Sequence, residues 1–121
     1  MIIGTGVDIT EVKRLRQAVE KWGESFLGRV FTPDELENAE KRGSLYQHLA
    51  GRFAAKEAVF KALGDEKLGW KDVQILNDAQ GRPRCKILNG RGKGVDVYIS
   101  ISHVKNYAVA NAIITQKSKC A

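Results

Sequence analysis

The first residues of the chain alternate between two kinds of side chain, as a β-strand requires. Between Ile2 and Ile9, one face carries Gly4, Gly6 and Asp8 and is therefore nearly bare. The other face is mostly apolar and consists of Ile3, Thr5, Val7 and Ile9. This pattern predicts a strand with two very different faces.

Helix signals dominate the next stretch of the chain. Thr10 is expected to cap a helix that runs to about Trp22 and stops at Gly23. Its apolar positions are spaced for burial, namely Val12, Leu15, Val19 and Trp22. Residues 26–30 are predicted to continue as a short helix.

Two further helices have clear boundaries in the sequence. Thr32, Pro33 and Glu35 have the spacing of a capping box with proline at the first helical position, which predicts a helix through about residue 41. Gly43 then breaks the pattern before the longest helix, predicted over residues 46–63 and closed by Gly64.

The remaining segments are predicted to be β-strands. After a loop at residues 65–69, residues 73–76 and 83–88 read as a hairpin around a turn at 78–81. A glycine-rich basic loop at 89–94 precedes two more strands, 97–102 and 107–114. We expect one domain over residues 1–115 and a polar tail at 116–121.

Composition limits the classes of protein that need consideration. The chain has 121 residues, 43% hydrophobic and 28% charged, which fits one globular domain. It has neither an apolar run of the roughly 18 to 20 residues that a membrane span needs nor a signal peptide, so a cytoplasmic location is expected. Cys85 and Cys120 are expected to be plain thiols. The net charge of +6 predicts attraction to an anionic partner without naming it.

The first candidate for chemistry is Asp8. Two positions without side chains precede this carboxylate on one strand face, which leaves room for a ligand beside it. The structural alternative is that Gly4 and Gly6 mark a bulge or tight packing and that Asp8 only helps to begin the next helix.

The second candidate is a charged pair on the longest helix. A small apolar face is formed by Ala55, Ala58, Val59 and Ala62. Phe53, Glu57 and Lys61 gather on the opposite side. The simple alternative is a solvated i,i+4 ion pair between Glu57 and Lys61, worth about 0.3 to 0.5 kcal/mol.

The third candidate is His103, which follows Ser100 and Ser102 at the end of a predicted strand. Neighbouring residues on a strand point to opposite faces and the sequence has no Gly-x-Ser-x-Gly elbow, so serine–histidine hydrolysis is not expected. His103 is either a phosphate donor or a hydrogen-bonded structural histidine. His48, on the first turn of the long helix, is expected at the surface.

Taken in order, these pieces resemble the holo-[acyl-carrier-protein] synthase family of phosphopantetheinyl transferases. The matching motifs are Gly4-x-Gly6-x-Asp8, Phe31-Thr32 with Glu35, Gly51-Arg52-Phe53-Ala54-Ala55-Lys56-Glu57 with Lys61 and Gly64, Trp70-x-Asp72 with Asp78-x-x-Gly81-x-Pro83, and Ser100-x-Ser102-His103. They span nearly the whole chain, and the Arg-Phe-Ala-Ala-Lys-Glu-Ala run is the most specific.

The resemblance implies an α+β fold in which a small antiparallel sheet wraps a long central helix. It also implies a homotrimer with active sites between neighbouring subunits. In such a site Asp8 and Glu57 would be the ligands of a Mg²⁺ ion that bridges to the pyrophosphate of coenzyme A. The bare glycine face beside Asp8 would then be the surface on which metal and pyrophosphate bind.

The implied reaction moves the phosphopantetheine of coenzyme A to a serine of an apo acyl carrier protein, in fatty acid biosynthesis, and releases adenosine 3′,5′-bisphosphate. Lys61 and His103 would contact phosphate oxygens, and either metal-bound water or Glu57 would take the serine proton. The implied catalytic residues are Asp8, Glu57, Lys61 and His103. The implied coenzyme-binding residues are Arg52, Lys61, Gly64, Pro83, Ser102 and His103.

A basic helix face would suit an acidic carrier protein. Lys13, Arg14 and Lys21 are expected to steer the carrier, with Phe26, Leu27 and Phe53 at the apolar centre of the contact. The alternative is that the three cations form an ordinary solvated face and that the three apolar side chains belong to the core.

Two other functions compete with this one. The high pI and the basic loop at 89–94, which replaces a short helix usual in the family, raise the possibility of a nucleic-acid-binding module. However, basic and aromatic residues are not interleaved in a stacking pattern, so no nucleic-acid partner is expected. An inactive relative that only binds a carrier is the third possibility.

Overall fold

Four α-helices and five strands follow one another along residues 1–64 and 67–117, the part of the chain that the computed structural model describes. They are β1 (Ile2–Glu11), α1 (Val12–Trp22), α2 (Glu24–Val30), α3 (Pro33–Glu40), α4 (Leu45–Leu63), β2 (Val73–Asn77), β3 (Pro83–Ile87), β4 (Val95–His103) and β5 (Tyr107–Gln116). A short 3₁₀ turn, Trp70–Asp72, precedes β2. The expected α+β class is confirmed, whereas the predictions for residues 65, 66 and 118–121, including Cys120, lie outside the described residues.

The strands form two antiparallel sheets. One contains β1, β5 and β4 in that order, and the other is the β2–β3 hairpin. In the larger sheet Asp8 lies opposite Ala110 and His103 lies opposite Ala108. The central strand β5 therefore separates the two strands that carry these candidate site residues.

Helix α4 lies against the three-stranded sheet through very small side chains. Its alanines Ala54, Ala55 and Ala58 are fully buried, as are Ala108 and Ala112 of β5. Small side chains on both surfaces let the helix and sheet backbones approach closely.

The closest approach is made by the glycines of β1. A Cβ atom on Gly4 would lie 2.2 Å from the carbonyl oxygen of Ala62, and one on Gly6 would lie 2.1 Å from that of Ala58. The expectation that this face is open to metal and pyrophosphate is therefore wrong, because the backbone of α4 fills it. The sequence shows which side chains are missing but not what occupies their place.

The opposite face of β1 is uncovered in the single chain. Ile3, Val7 and Ile9 are 54%, 60% and 66% exposed. Their neighbours on the same sheet face include Tyr98 and Val109, which are also exposed.

Helix boundaries follow the local signals except at the start of α1. Helix α1 begins after Glu11 without a side-chain cap, and the Thr10 hydroxyl instead donates to Asp8 Oδ2 at 3.2 Å. Trp22 is 57% exposed, so its predicted burial is also wrong. The capping box of α3 is confirmed, since Thr32 Oγ1 accepts from Glu35 N at 3.2 Å and Glu35 Oε1 accepts from Thr32 N at 2.8 Å.

A buried ion pair joins α3, α4 and the hairpin. Lys56 Nζ lies 2.7 Å from Glu35 Oε1, and neither side chain is exposed to solvent. The ammonium also donates to the carbonyl oxygens of Trp70 and Val73, at 2.8 and 2.6 Å. Glu35 Oε2 accepts from Ile75 N at 2.8 Å. The hairpin is thus fastened to the helices by charge-assisted hydrogen bonds.

No helix among residues 1–64 and 67–117 has both the length and the hydropathy required to cross a bilayer.

The segment at 89–94 is a series of turns that connects β3 to β4, with positive φ at Asn89, Gly90 and Gly94.

Candidate active site

Asp8 and two residues of α4 meet at the end of β1. Lys61 Nζ lies 3.0 Å from Asp8 Oδ1 and donates also to the carbonyl oxygen of Val7 at 3.1 Å. Glu57, one turn before Lys61 on the helix, lines the same cavity as these two residues. The two carboxylates are 49 positions apart in the sequence, and the fold brings them together.

The glycines of β1 explain how this meeting occurs. Gly4, Gly6 and Asp8 share a strand face, and the first two lie against the backbone of α4 at Ala62 and Ala58. The strand and helix run past one another in opposite directions, so the next residue on that face, Asp8, reaches the turn of Glu57. The close packing of the two glycines on α4 is therefore what places the carboxylate of Asp8 beside Glu57.

The electrostatic state of this cluster is set by two carboxylates and one ammonium. Burial raises the pKa of Glu57, and the nearby Asp8 carboxylate raises it further, while Lys61 acts in the opposite direction. Lys61 forms its ion pair with Asp8 and, among the described residues, forms none with Glu57, so the simple i,i+4 pair is not what the structure shows. The cluster therefore carries more negative charge than its single cation balances.

The cavity beside this cluster is about 380 Å³ in volume. Besides the three charged residues, it is lined by Arg14, Phe26 and Phe53. The Phe53 ring stacks on Trp70 at 5.0 Å between centroids and lies 6.4 Å from the Phe26 ring. The cavity thus joins a charged end to an aromatic wall, and both rings also pack against the core.

A second cavity, of about 160 Å³, collects other candidates. It is lined by Arg52, Pro83 and His103, which the sequence pointed to, and by Arg42 and His48, which it did not. Arg52 is buried, and its Nη2 donates to Asn77 Oδ1 at 2.6 Å. Basic groups dominate this lining, so the cavity suits an anion.

His48 is not a surface residue, contrary to expectation. Its ring is half-buried, and its Nε2 atom is inaccessible to solvent and has no hydrogen-bond partner. The spacing along the helix could have indicated this, because His48 lies one helical turn before Arg52 and the two side chains therefore share a face.

The two cavities lie on different sides of α4. Glu57 and Arg52 are five residues apart, which separates them by about 140° around the helix axis. Among the described residues that line them, none is common to both cavities. In one chain these candidate residues therefore line two separate cavities, which we call the carboxylate cavity and the basic cavity.

Comparisons with known proteins give the family of the chain. Residues 4–112 match the family described as the 4′-phosphopantetheinyl transferase superfamily. The chain belongs to this superfamily. It is 47% identical to a holo-[acyl-carrier-protein] synthase of Thermodesulfovibrio yellowstonii over 116 residues. This match covers 95% of this chain and 100% of that protein. A synthase of the same name from Protochlamydia amoebophila is 45% identical over 119 residues, covering 93% and 98% of the two chains.

Solved structures of superfamily members have the same fold. The holo-[acyl-carrier-protein] synthase of Neisseria meningitidis superposes with a TM-score of 0.88 at 33% identity, over 96% of this chain and 100% of that one. The synthase of Bacillus anthracis, solved in complex with CoA (3′,5′-ADP), superposes with a TM-score of 0.84 at 34% identity, over 97% and 99% of the two chains.

The remaining predicted residues lie outside both cavities. Gly64 is the left-handed C-cap of α4, and Ser102 is exposed on β4 opposite Val109. Lys13 and Lys21 are exposed on α1, where Lys13 lines a separate surface cleft and Lys21 lies over the ring of Trp22.

A divalent ion suits the carboxylate cavity of this superfamily member. Within residues 1–64 and 67–117, no three His, Cys, Asp or Glu side chains are placed to hold a metal, so Asp8 and Glu57 are a two-carboxylate set. Mg²⁺ commonly binds one or two carboxylates and completes its shell with water and substrate phosphates. The excess negative charge of the cluster also favours a cation there.

Proposed function

We propose that this protein transfers the 4′-phosphopantetheine group of coenzyme A to a serine of apo acyl carrier protein, in fatty acid biosynthesis. The observation that carries the proposal is the meeting of Asp8, Glu57 and Lys61 in one cavity, in a chain that belongs to the superfamily of these transferases. A simple helical ion pair would need only Glu57 and Lys61. The participation of Asp8, from a distant part of the chain, supports a site.

Asp8 and Glu57 would hold Mg²⁺, which would neutralise charge on the pyrophosphate of coenzyme A. Lys61 would donate to a phosphate oxygen, because its ammonium has three N–H donors and bonds to two acceptors in this cavity, Asp8 Oδ1 and the carbonyl oxygen of Val7. In the reaction the serine Oγ attacks the phosphorus next to pantetheine, and the bond from that phosphorus to the bridging oxygen breaks. Adenosine 3′,5′-bisphosphate then leaves with the bridging oxygen, and charge stabilisation supplies most of the rate.

The serine must lose a proton as it attacks. Glu57 is one acceptor in this proposal, since burial and Asp8 raise its pKa. A water molecule in the same cavity is the other, because a carboxylate that holds a metal ion binds protons less well. Both acceptors place the proton transfer in the carboxylate cavity.

The two cavities suggest that the complete site forms between subunits. The basic cavity carries Arg52, Pro83 and His103, three of the six residues that the resemblance implies for coenzyme binding, on the far side of α4 from Glu57. A homotrimer would bring the basic cavity of one chain to the carboxylate cavity of its neighbour. The exposed apolar face of β1, with Val7 at 60% and Ile9 at 66% exposure, is a suitable surface for that contact.

The carrier protein would dock on α1. Lys13, Arg14 and Lys21 are exposed on this helix, and Arg14 also lines the carboxylate cavity next to Phe26 and Phe53. An acidic carrier would thus be steered by the helix and bring its serine to the charged end of the cavity. The cytoplasmic location expected from the sequence is part of the same proposal.

The proposal is tested by incubating the protein with coenzyme A, Mg²⁺ and an apo acyl carrier protein and weighing the carrier by mass spectrometry. A mass gain of one phosphopantetheine is expected, and EDTA should abolish it until Mg²⁺ is restored in excess. Asp8→Ala and Glu57→Ala should each lower the rate by ~100-fold or more, the loss typical of one electrostatic group. Glu37→Ala, which removes an exposed carboxylate of α3, is the control and should leave the rate unchanged.

No mass gain with any carrier would overturn the proposal, and binding of DNA at physiological salt would then favour the nucleic-acid reading. Unchanged transfer in both Asp8→Ala and Glu57→Ala would instead show that the carboxylate cavity is not the site. Circular dichroism of each variant separates loss of the site from loss of the fold.

A further inference from the structure

In the basic cavity, His48 is surrounded by other basic side chains. Two guanidinium groups, of Arg42 and Arg52, line the cavity together with the two imidazoles, of His48 and His103. These are the charged or titratable groups that act on the ring of His48: Arg52 from its own helix, Arg42 from the segment before α4, and His103 from β4. Within the part of the chain that the structure describes, every group that perturbs His48 is thus a cation or can become one.

The surroundings of the His48 ring match its neutral form. Nε2 is buried and has no hydrogen-bond partner, which is tolerable for an unfilled acceptor of a neutral imidazole. A protonated ring would instead leave a buried N–H unpaired beside two arginines, which costs more. Burial and then Arg52, Arg42 and His103 accordingly lower the pKa of His48 to about 4.

We propose that His48 takes up a proton from solvent when a phosphate group enters the basic cavity, so that the phosphate-bearing end of the nucleotide and one proton bind together. This inference rests on the proposed function, which places the nucleotide of coenzyme A in that cavity. It adds His48 as a residue that binds the phosphate. It also adds a proton that binds with the nucleotide and does not appear in the equation of the overall reaction.

The charge balance gives the reason for proton uptake. A phosphate monoester carries about −1.5 to −2 charge near neutral pH. The described residues that line the cavity include two guanidinium groups and no carboxylate. An anion within about 4 to 6 Å of a titratable group raises its pKa by about 1 to 3 units. The phosphate also offers an acceptor for the otherwise unpaired Nε2–H once the imidazole turns towards it.

The direct test is a nuclear magnetic resonance titration of the imidazole carbons, with adenosine 3′,5′-bisphosphate as the probe. The chain has only two histidines, and His103→Gln leaves a single resonance to assign to His48. Without nucleotide, His48 should stay neutral from pH 8 down to pH 5. Saturation with nucleotide should increase its proton affinity by about 10- to 1,000-fold, so that it titrates at a higher pH.

Calorimetry gives an independent measure of the same proton. Nucleotide is added to the wild type and to His48→Gln in buffers of different ionisation enthalpy, and the number of protons taken up is obtained from the heats. The nucleotide's own phosphate contributes equally to both proteins, so the difference between them belongs to His48. The wild type should take up more protons than His48→Gln near pH 6.

Nucleotide binding with an unmoved His48 resonance, or with equal proton uptake in both proteins, would overturn the inference. Phosphopantetheine transfer measured on the same samples separates this failure from that of the proposed function. Transfer that persists beside an unmoved His48 overturns only the inference. Absence of both transfer and nucleotide binding overturns the proposed function with it.

Discussion

The buried pair of Glu35 and Lys56 shows how much one residue can matter in this fold. Burial lowers the pKa of Lys56, and the carboxylate of Glu35 opposes that shift. Lys56→Met would leave this carboxylate buried without its counter-ion. We expect the free energy of unfolding to fall by about 3 to 5 kcal/mol, as measured by urea denaturation at fixed protein concentration.

The exposed pair of Glu37 and Lys41 provides the matched control. Its charged atoms are 3.7 Å apart, and its side chains are 69% and 72% exposed. Lys41→Met should therefore change the free energy of unfolding by less than about 0.5 kcal/mol. Equal effects of the two methionine variants would contradict the prediction.

The low pKa of His48 predicts a second effect, on stability without nucleotide. The folded-state pKa is about 4 and the unfolded value is 6.5, so the unfolded chain binds the proton first as pH falls between these values. The wild type should therefore lose stability between pH 7 and pH 5 relative to His48→Gln. Because the ring is only half-buried, solvent screening reduces the expected difference to about 1 kcal/mol. Urea denaturation of both proteins at the two pH values measures it, and parallel losses would contradict it.

Residue chemistry was predictable where a motif carried it and not elsewhere. The meeting of Asp8, Glu57 and Lys61 could be predicted because their motifs, in this order along the chain, resemble those of a known family. Lys56 stands beside Glu57 in the same motif, yet its burial and its partner Glu35 depend on tertiary packing that no local pattern specifies. The partial burial of His48 is not predictable for the same reason, since the cavity around it is built from distant segments.

At the scale of elements, local signals were enough for most boundaries. The capping box at Thr32 begins a helix where predicted, and the positive-φ glycines Gly23 and Gly64 end helices where predicted, because these signals act within one helical turn. Contacts between elements were less predictable. The glycine face of β1 predicts open space for a ligand, whereas it is the surface on which α4 lies.

That contact predicts the effect of Gly6→Ala. The added Cβ would lie 2.1 Å from the carbonyl oxygen of Ala58 and 2.9 Å from the amide nitrogen of Ala62, and neither backbone atom can move alone. Overpacking should lower the free energy of unfolding by about 1 to 3 kcal/mol or more. Transfer should also slow, because β1 must shift from α4 and carry Asp8 away from Glu57. Thermal unfolding and the mass-spectrometric assay measure the two effects.

Gly28→Ala is the control for this substitution. Gly28 lies in α2, and a Cβ added there meets nothing within 4 Å. Alanine should therefore stabilise the helix by up to about 1 kcal/mol. If Gly6→Ala behaved like Gly28→Ala, close packing of β1 on α4 would not be what positions Asp8.

At the scale of the whole molecule, the exposed face of β1 leads to a prediction about assembly. Val7→Glu places a charge at the centre of this face, and desolvating that charge in an interface would be costly. Light scattering coupled to size exclusion should find a trimer for the wild type and a folded monomer for the variant. Trp22→Glu, at a site of similar exposure on α1, should remain trimeric. A wild-type monomer, or a trimeric Val7→Glu, would contradict the prediction.

The separation of the two cavities predicts complementation between defective chains. Asp8→Ala damages only the carboxylate cavity and His103→Ala only the basic cavity, so trimers of either variant alone should be nearly inactive. When the two variants are produced together, some interfaces pair the intact carboxylate cavity of one chain with the intact basic cavity of its neighbour. With random mixing in equal amounts this holds for about a quarter of the interfaces of a cyclic trimer, so about a quarter of the wild-type transfer rate should return. Mixing Asp8→Ala with Glu57→Ala is the control, because both substitutions damage the same cavity and no interface becomes intact. Activity that stays at the level of the separate variants in both mixtures would mean that each chain completes its own site. The basic cavity of one chain would then not act with the carboxylate cavity of its neighbour.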